Sequence, residues 1–286
     1  AIRSVFYPLL GERIYGWPGN AIDILAVAAT LFGLATSLGL GVQQVNAGLN
    51  FLFNLEISTP IQVGLIAIIT GFATASVVSG LGNGVRRLSE LNMILAAVLM
   101  GFVLLVGPTL FILDSFVQTT GYYLASLPTL SLWTETFQEG DWQHGWTVFY
   151  WGWWVSWSPF VGIFIARVSK GRTVREFIFG VLLLPSALTF LWMSVFGGTA
   201  MNMELGALSG VIGDAVAENV STALFVMLDQ LPLTAITSFV GIVLVVVFFV
   251  TSSDSGSLVV DSLTSGGKLE SPVPQRGFWA VMEGVV

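Results

Sequence analysis

An all-α polytopic membrane protein is the fold class this sequence predicts, and three observations lead there. Of 286 residues, 55% are hydrophobic and only 9% are charged, and the mean hydropathy is +0.85. A soluble chain builds its surface with about 25% charged residues, so lipid must solvate most of this one. Second, six apolar segments reach the roughly 20 residues that a helix needs to span a bilayer: 22–42, 61–81, 93–113, 147–166, 177–196 and 236–260. Third, all ten basic residues fall on alternate connections between those segments. Helix is the only reading that satisfies the backbone in lipid, and the segments lack the period-two alternation of barrel strands.

In chain order, Arg3 and Arg13 precede the first span, and the connection 43–60 after it holds no Lys or Arg. Arg86 and Arg87 join the second span to the third. The connection 114–146 again lacks basic residues; within it, 115–127 carries Phe116, Tyr122, Tyr123 and Leu127 and reads as a short amphipathic helix at the membrane surface, placed there by packing. Arg167, Lys170, Arg172 and Arg175 join the fourth span to the fifth, the connection 197–235 has none, and Lys268 and Arg276 follow the sixth. By the positive-inside rule, the N-terminal segment and the basic loops are cytoplasmic, in a multi-pass protein of the cell membrane. Trp17, Trp142, Trp146, Trp192 and Trp279 sit near span ends, as interfacial anchors do. A seventh apolar segment begins near Phe278, and the chain starts at Ala1 and stops at Val286, so the expectation is a segment of a longer protein.

The composition also excludes. A net charge of −7 argues against nucleic acid, which selects clustered Lys and Arg. With no cysteine there is no disulfide, thiolate metal site or thiol nucleophile, and His144 alone cannot supply bis-histidine haem ligation. No paired carboxylates or clustered histidines at bilayer depth support an enzyme or a redox subunit, so neither an enzymatic role nor an organic cofactor is expected.

Three places inside the spans resist a lipid-facing reading. In the fourth, Tyr150 to Phe160 packs four tryptophans into seven residues and then Ser158-Pro159. Tyr150, Trp154 and Trp157 share one helical face, and Trp153, Trp157 and Phe160 an overlapping one. Pro159 removes a backbone donor, which predicts a kinked or locally opened helix. An aromatic run of this kind can be core packing. It also suits a trimethylammonium group, which offers no N–H to bond but is attracted to desolvated ring faces by about 2 kcal/mol each.

In the sixth span, Phe248, Thr251, Ser252 and Ser255 lie at i, i+3, i+4 and i+7, one face with three hydroxyls, and Asp254 lies among them. Hard cations such as sodium take oxygen ligands, whereas the plain alternative is that the hydroxyls bond back to carbonyls one turn earlier. An acid at that depth is expensive and usually functional. In the first span, Thr30 to Ser37 is rich in small and hydroxyl residues, which favours close helix packing.

From Trp151 the string WGWWVSWSPFVGIFIARVSKGRTVREF closely resembles the signature region of the betaine/carnitine/choline transporter family, with IDILAVAATLFGLATSLGLG upstream and FFVTSSDSGS downstream extending the likeness across the chain. The resemblance implies a twelve-span protein whose core is two inverted five-helix repeats, usually a homotrimer. This chain would supply the fifth to tenth spans and the start of the eleventh: 1–113 ends the first repeat and 147–286 begins the second, within one transport domain, 1–286. It further implies that Trp153, Trp154 and Trp157 line the path of a quaternary-ammonium solute such as glycine betaine. Phe248, Thr251 and Ser252 would form half of a sodium site. The family's second sodium site uses two threonines one turn apart plus the phenylalanine of the SPF string; Thr30 and Phe160 match, but the other threonine is Leu34, which cannot ligate through its side chain. The function implied is sodium-coupled uptake of such an osmolyte, with a proton-coupled choline carrier or a sodium-independent exchanger as alternatives.

Overall fold

The computed structural model describes residues 2–79, 84–206, 208–267 and 272–286, and every regular element among them is helical. Residues 80 and 81 of the second expected span, together with Lys268 and Glu270, lie outside the described residues, as do the side chains of Arg86 and Arg167.

The first expected span grows at both ends into α1, Trp17–Phe53. Its 37 residues extend about 55 Å at 1.5 Å per residue, well beyond a hydrocarbon core of about 30 Å. Pro18 suits the first turn, and Asn54 ends the helix in the left-handed region with its N–H on the Asn50 carbonyl at 2.8 Å. Gln43, Gln44 and Asn46 mark the apparent polar end at Val42, yet the helix continues because Asn46 is buried and satisfied. Its amide donates to the Glu56 carbonyl at 3.1 Å and accepts from the Ser58 N–H at 3.3 Å, folding the following loop back onto α1. At the other end Arg3 pairs with the buried Asp23 at 2.6 Å, tying the short helical turns of 2–15 to α1.

The remaining elements are α2 (Thr59–Ser79), α3 (Gly84–Val106), α4 (Thr109–Ser131) and α5 (Phe149–Val168), entered through a π-helical turn at Gln143–Val148. Then come α6 (Val174–Ile178), a second π turn (Phe179–Leu183) and α7 (Leu184–Leu205). A reciprocal Thr173–Glu176 capping box starts α6, and the π turn absorbs the donor that Pro185 lacks. The set closes with α8 (Val211–Asn219), α9 (Ala223–Asp229), α10 (Thr234–Thr264) and α11 (Val273–Val285). Glu204, at the end of α7, accepts from the N–H groups of Gly210, Ile212 and Gly213 and so caps α8.

Three differences from the sequence reading have physical causes. The surface segment expected at 115–127 is part of α4, a 23-residue helix seated on α7, with Tyr123 edge-on to Phe190 at 5.3 Å. Second, α5 stays helical through Pro159 rather than opening. Pro159 leaves the Val155 carbonyl without its donor, and the Ser158 hydroxyl supplies one at 2.7 Å. Third, the six stretches long and apolar enough to cross a membrane, among the described residues, include Val211–Asp229 and omit α5. Tryptophan, tyrosine and serine lower the hydropathy of α5, whereas Val211–Asp229 is two helices broken by a 3-10 turn at Val220–Thr222.

At the centre α1 lies against α10, with α5 on one flank and α2, α3 and α11 around the other. Val42, Ile69, Ala73 and Val250 bury the junction of α1, α2 and α10. Ala26, Phe160, Val259 and Leu263 bury that of α1, α5 and α10. A third cluster, from Leu99 and Val103 through Val195 to Leu228, joins α3, α4, α7, α8 and α9. Close approach depends on missing side chains: a Cβ at Gly48 would overlap the buried Phe225 ring and Ile242, so α9 and α10 can reach α1 only at a glycine.

Candidate functional site

The aromatic run on α5 is held to α1 by its nitrogens. Trp153 Nε1 donates to Ser37 Oγ at 2.9 Å, and Trp157 Nε1 is shared between the Gly33 carbonyl at 2.9 Å and Ser37 Oγ at 3.1 Å. Ser37 passes its own proton to the Gly33 carbonyl at 3.0 Å. One hydroxyl therefore spends its single donor and both lone pairs, the full capacity of the group. Gly33 makes the approach possible, since a Cβ there would stand 2.9 Å from Trp157 Cδ1. With their N–H groups committed at the seam, the indoles have only ring faces left to offer.

Those faces line an open groove of about 460 Å³ formed by Tyr150, Trp153, Trp154, Trp157 and Val161. Trp154 makes no ring contact or hydrogen bond among the described residues and is 72% exposed, whereas Trp153 and Trp157 are half-buried. Neighbouring rings hold the others: Tyr150 lies 5.6 Å from Trp153, and Trp157 is edge-on to Phe160 at 5.1 Å. The structure thus brings the three predicted tryptophans to one groove.

On α10 the hydroxyl residues are divided. Thr251 is buried and donates to the carbonyls of Val247 and Phe248 at 3.0 and 3.1 Å, and Ser255 donates to Thr251 at 2.9 Å. Back-bonding of this kind uses the proton and leaves the oxygen lone pairs, which are what a cation takes. Ser252 is half-buried and Phe248 lies 43% exposed on the outer side of the helix. Thr30 is fully buried with its hydroxyl on the Ala26 carbonyl at 2.8 Å, and Phe160 joins the same seam through the Ala26 cluster. Leu34 fills the space above Gly256 on α10, where a Cβ would overlap it. An aliphatic group occupies that turn, and it is packed.

Ser37, Ser76, Ser253 and Glu283 were not singled out from sequence, although each holds part of the polar interior. Ser76 on α2 donates to Asp254 at 2.7 Å, and Ser253 donates to Glu283 on α11 at 2.8 Å. Asp254 and Glu283 are 0% and 3% exposed. Ser37, Ser252, Ser253, Thr70 and Glu283 share the wall of a small cavity of about 20 Å³ with Leu34 and Phe249. The signal for Glu283 was an acid in an otherwise apolar stretch after Phe278; the seventh span was too short to mark it as intramembrane.

Comparison with known proteins gives the family of the chain. The family described as BCCT, betaine/carnitine/choline family transporter, matches residues 1–286. A glycine betaine/proline/choline transporter of Vibrio parahaemolyticus is 55% identical over 285 residues, covering 100% of this chain and 51% of that protein. A glycine betaine/proline/choline/ectoine transporter of the same organism is 51% identical over 290 residues, covering 100% and 50%. The ectoine/glycine betaine/proline transporter EctP of Corynebacterium glutamicum is 45% identical over 287 residues, covering 100% and 47%. The chain thus spans about half the length of the curated relatives it matches. Its membrane helices, its aromatic seam and its match from end to end place it in the betaine/carnitine/choline transporter family.

Proposed function

We propose that the protein carrying this chain is a secondary transporter that brings a quaternary-ammonium osmolyte, glycine betaine first, into the cell with sodium. The observation that supports this best is the seam between α1 and α5. The indole N–H groups of Trp153 and Trp157 are consumed by Ser37 and Gly33, and these two rings line a groove together with Trp154. A trimethylammonium group asks for ring faces and has no donor to lose. Three relatives named for glycine betaine make it the first substrate to try.

In this reading Phe248, Thr251 and Ser252 supply half of a sodium site between two inverted repeats, the first ending within 1–113 and the second beginning within 147–286. Alternating access is rocking of one repeat against the other about that midplane. Thr30 and Phe160 would form the remnant of a second site whose other threonine is replaced by Leu34. The N-terminal segment and the basic loops face the cytoplasm, and the complete protein assembles as a homotrimer in the cell membrane.

The test is uptake of labelled glycine betaine by cells expressing the complete protein, in sodium and in potassium buffer. Uptake that requires sodium supports both the aromatic groove and the Thr251–Ser252 site. Equal uptake in the two buffers keeps the groove and removes sodium coupling, in favour of protons or exchange. No uptake in either, with the protein present in the membrane, removes glycine betaine, and choline becomes the next solute to test.

A further inference from the structure

Glu283 is the feature that neither the aromatic groove nor the hydroxyl face of α10 accounts for. It lies on α11, 3% exposed, at the junction with α2 and α10. One carboxylate oxygen accepts from Ser253 at 2.8 Å, and the other, Oε1, has no hydrogen-bond partner among the described residues. No basic side chain among the described residues pairs with it. Asp254 repeats the pattern one residue along α10: it is fully buried, with Oδ2 on Ser76 and Oδ1 unpartnered. A carboxylate buried among helices with no cationic side chain paired to it is costly unless it takes up a proton or a counter-ion.

The space for one is present. The cavity of about 20 Å³ is walled by Glu283 and by the hydroxyl residues Ser37, Thr70, Ser252 and Ser253, with Leu34 and Phe249 among its apolar lining. That volume holds a single water-sized body. A small, hard cation takes carboxylate and hydroxyl oxygens, and one carboxylate in the wall balances one positive charge. Four elements, α1, α2, α10 and α11, contribute to the wall, so an ion there would bind them together.

We propose that Glu283, with Ser37, Thr70 and Ser253, forms a further buried sodium site, which meets the one built on Phe248, Thr251 and Ser252 at Ser252. Sodium as the occupant rests on the sodium-coupled reading above; the cavity and its oxygens do not. Because Ser37 also anchors the indoles of Trp153 and Trp157, an ion at this site would stiffen the seam that presents the ring faces.

The experiment is equilibrium binding of radioactive sodium to the purified complete protein, at fixed pH and without osmolyte, so that it does not depend on transport. Glu283→Gln keeps the shape and the Ser253 contact and removes the charge. Thr70→Val keeps the volume and removes a wall oxygen. Each is expected to weaken one class of sodium binding by at least about tenfold, while Ser158→Ala leaves that class in place. Sodium binding by folded Glu283→Gln and Thr70→Val indistinguishable from wild type would overturn the site, as would a Glu283→Gln protein that changes only its response to pH. If Glu283→Gln does not fold, Thr70→Val decides. Sodium-independent betaine uptake combined with Glu283-dependent sodium binding would remove the coupling proposal and leave this site standing.

Discussion

Helices α5 and α10 both pack on α1, yet they dispose of their polar atoms in opposite ways. Along α5 the donors turn inward, two indole N–H groups ending on Ser37 and Gly33, and the polarisable ring faces are left on an open groove. Along α10 the oxygens turn inward, with Thr251, Asp254 and Ser257 buried, and the outer face is left to Phe248 and other apolar groups. Soft, dehydrated faces suit a large organic cation, and converging hard oxygens suit a small inorganic one. The two helices thus differ in what they leave exposed, and Ser37 on α1 touches both, bonding the indoles and lining the cavity beside Ser252 and Ser253.

Separating those chemistries is the purpose of three substitutions in the complete protein. Replacing Trp154 with Leu removes a ring face that supports no bond in the fold. We expect about 2 kcal/mol of lost attraction, a rise of about 30-fold in half-saturation for betaine, with unchanged thermal stability and unchanged sodium dependence. A comparable fall in Tm would instead make Trp154 a packing residue. Thr251→Val keeps the packing of α10 and deletes an oxygen. Half-saturation for sodium should rise by about tenfold, while uptake at saturating sodium retains its betaine affinity; a shift in betaine affinity alone would erase the distinction between the two helices. The smallest effect is expected at Ser158, whose hydroxyl satisfies the carbonyl that Pro159 strands. Ser158→Ala should cost about 1 kcal/mol of stability, read as a lowered Tm in detergent, with uptake parameters unchanged.

Much of the fold is legible in the sequence because lipid imposes a local rule. Each helix must be apolar over about 20 residues whatever it packs against, so α2 and α10 were found within a few residues of their described ends, whereas the span read at 93–113 starts nine residues inside α3 and runs past its end at Val106, over Pro108, into α4. The exceptions follow the same logic. For α1, the reading stopped at Gln43 because a polar residue on a helix cannot be told from a polar residue ending one until Asn46 is seen holding the loop at Glu56 and Ser58. Pro159 suggested an opened helix because the compensating bond comes from its own neighbour, Ser158, and a serine beside a proline carries no such message by itself. The tryptophans were visible as an anomaly of composition. Their partner was not, because Ser37 looks like any small residue in a packing stripe.

By itself the sequence determined the class of solvent, the helical fold class, the alternation of basic residues among the connections, and the aromatic and hydroxyl stretches in which recognition was to be sought. All of these are sums over neighbouring residues. Only the tertiary structure decided that Trp153 and Trp157 meet at one hydroxyl 116 and 120 residues away, and that Ser76 reaches Asp254 across 178. It also set Leu34 over Gly256 and aimed Glu283 into a cavity shared with Ser252. Such pairings depend on where two helices cross and which turn of each faces the other, and crossing is settled by complementary packing at glycines such as Gly33 and Gly48 rather than by the hydropathy of either helix.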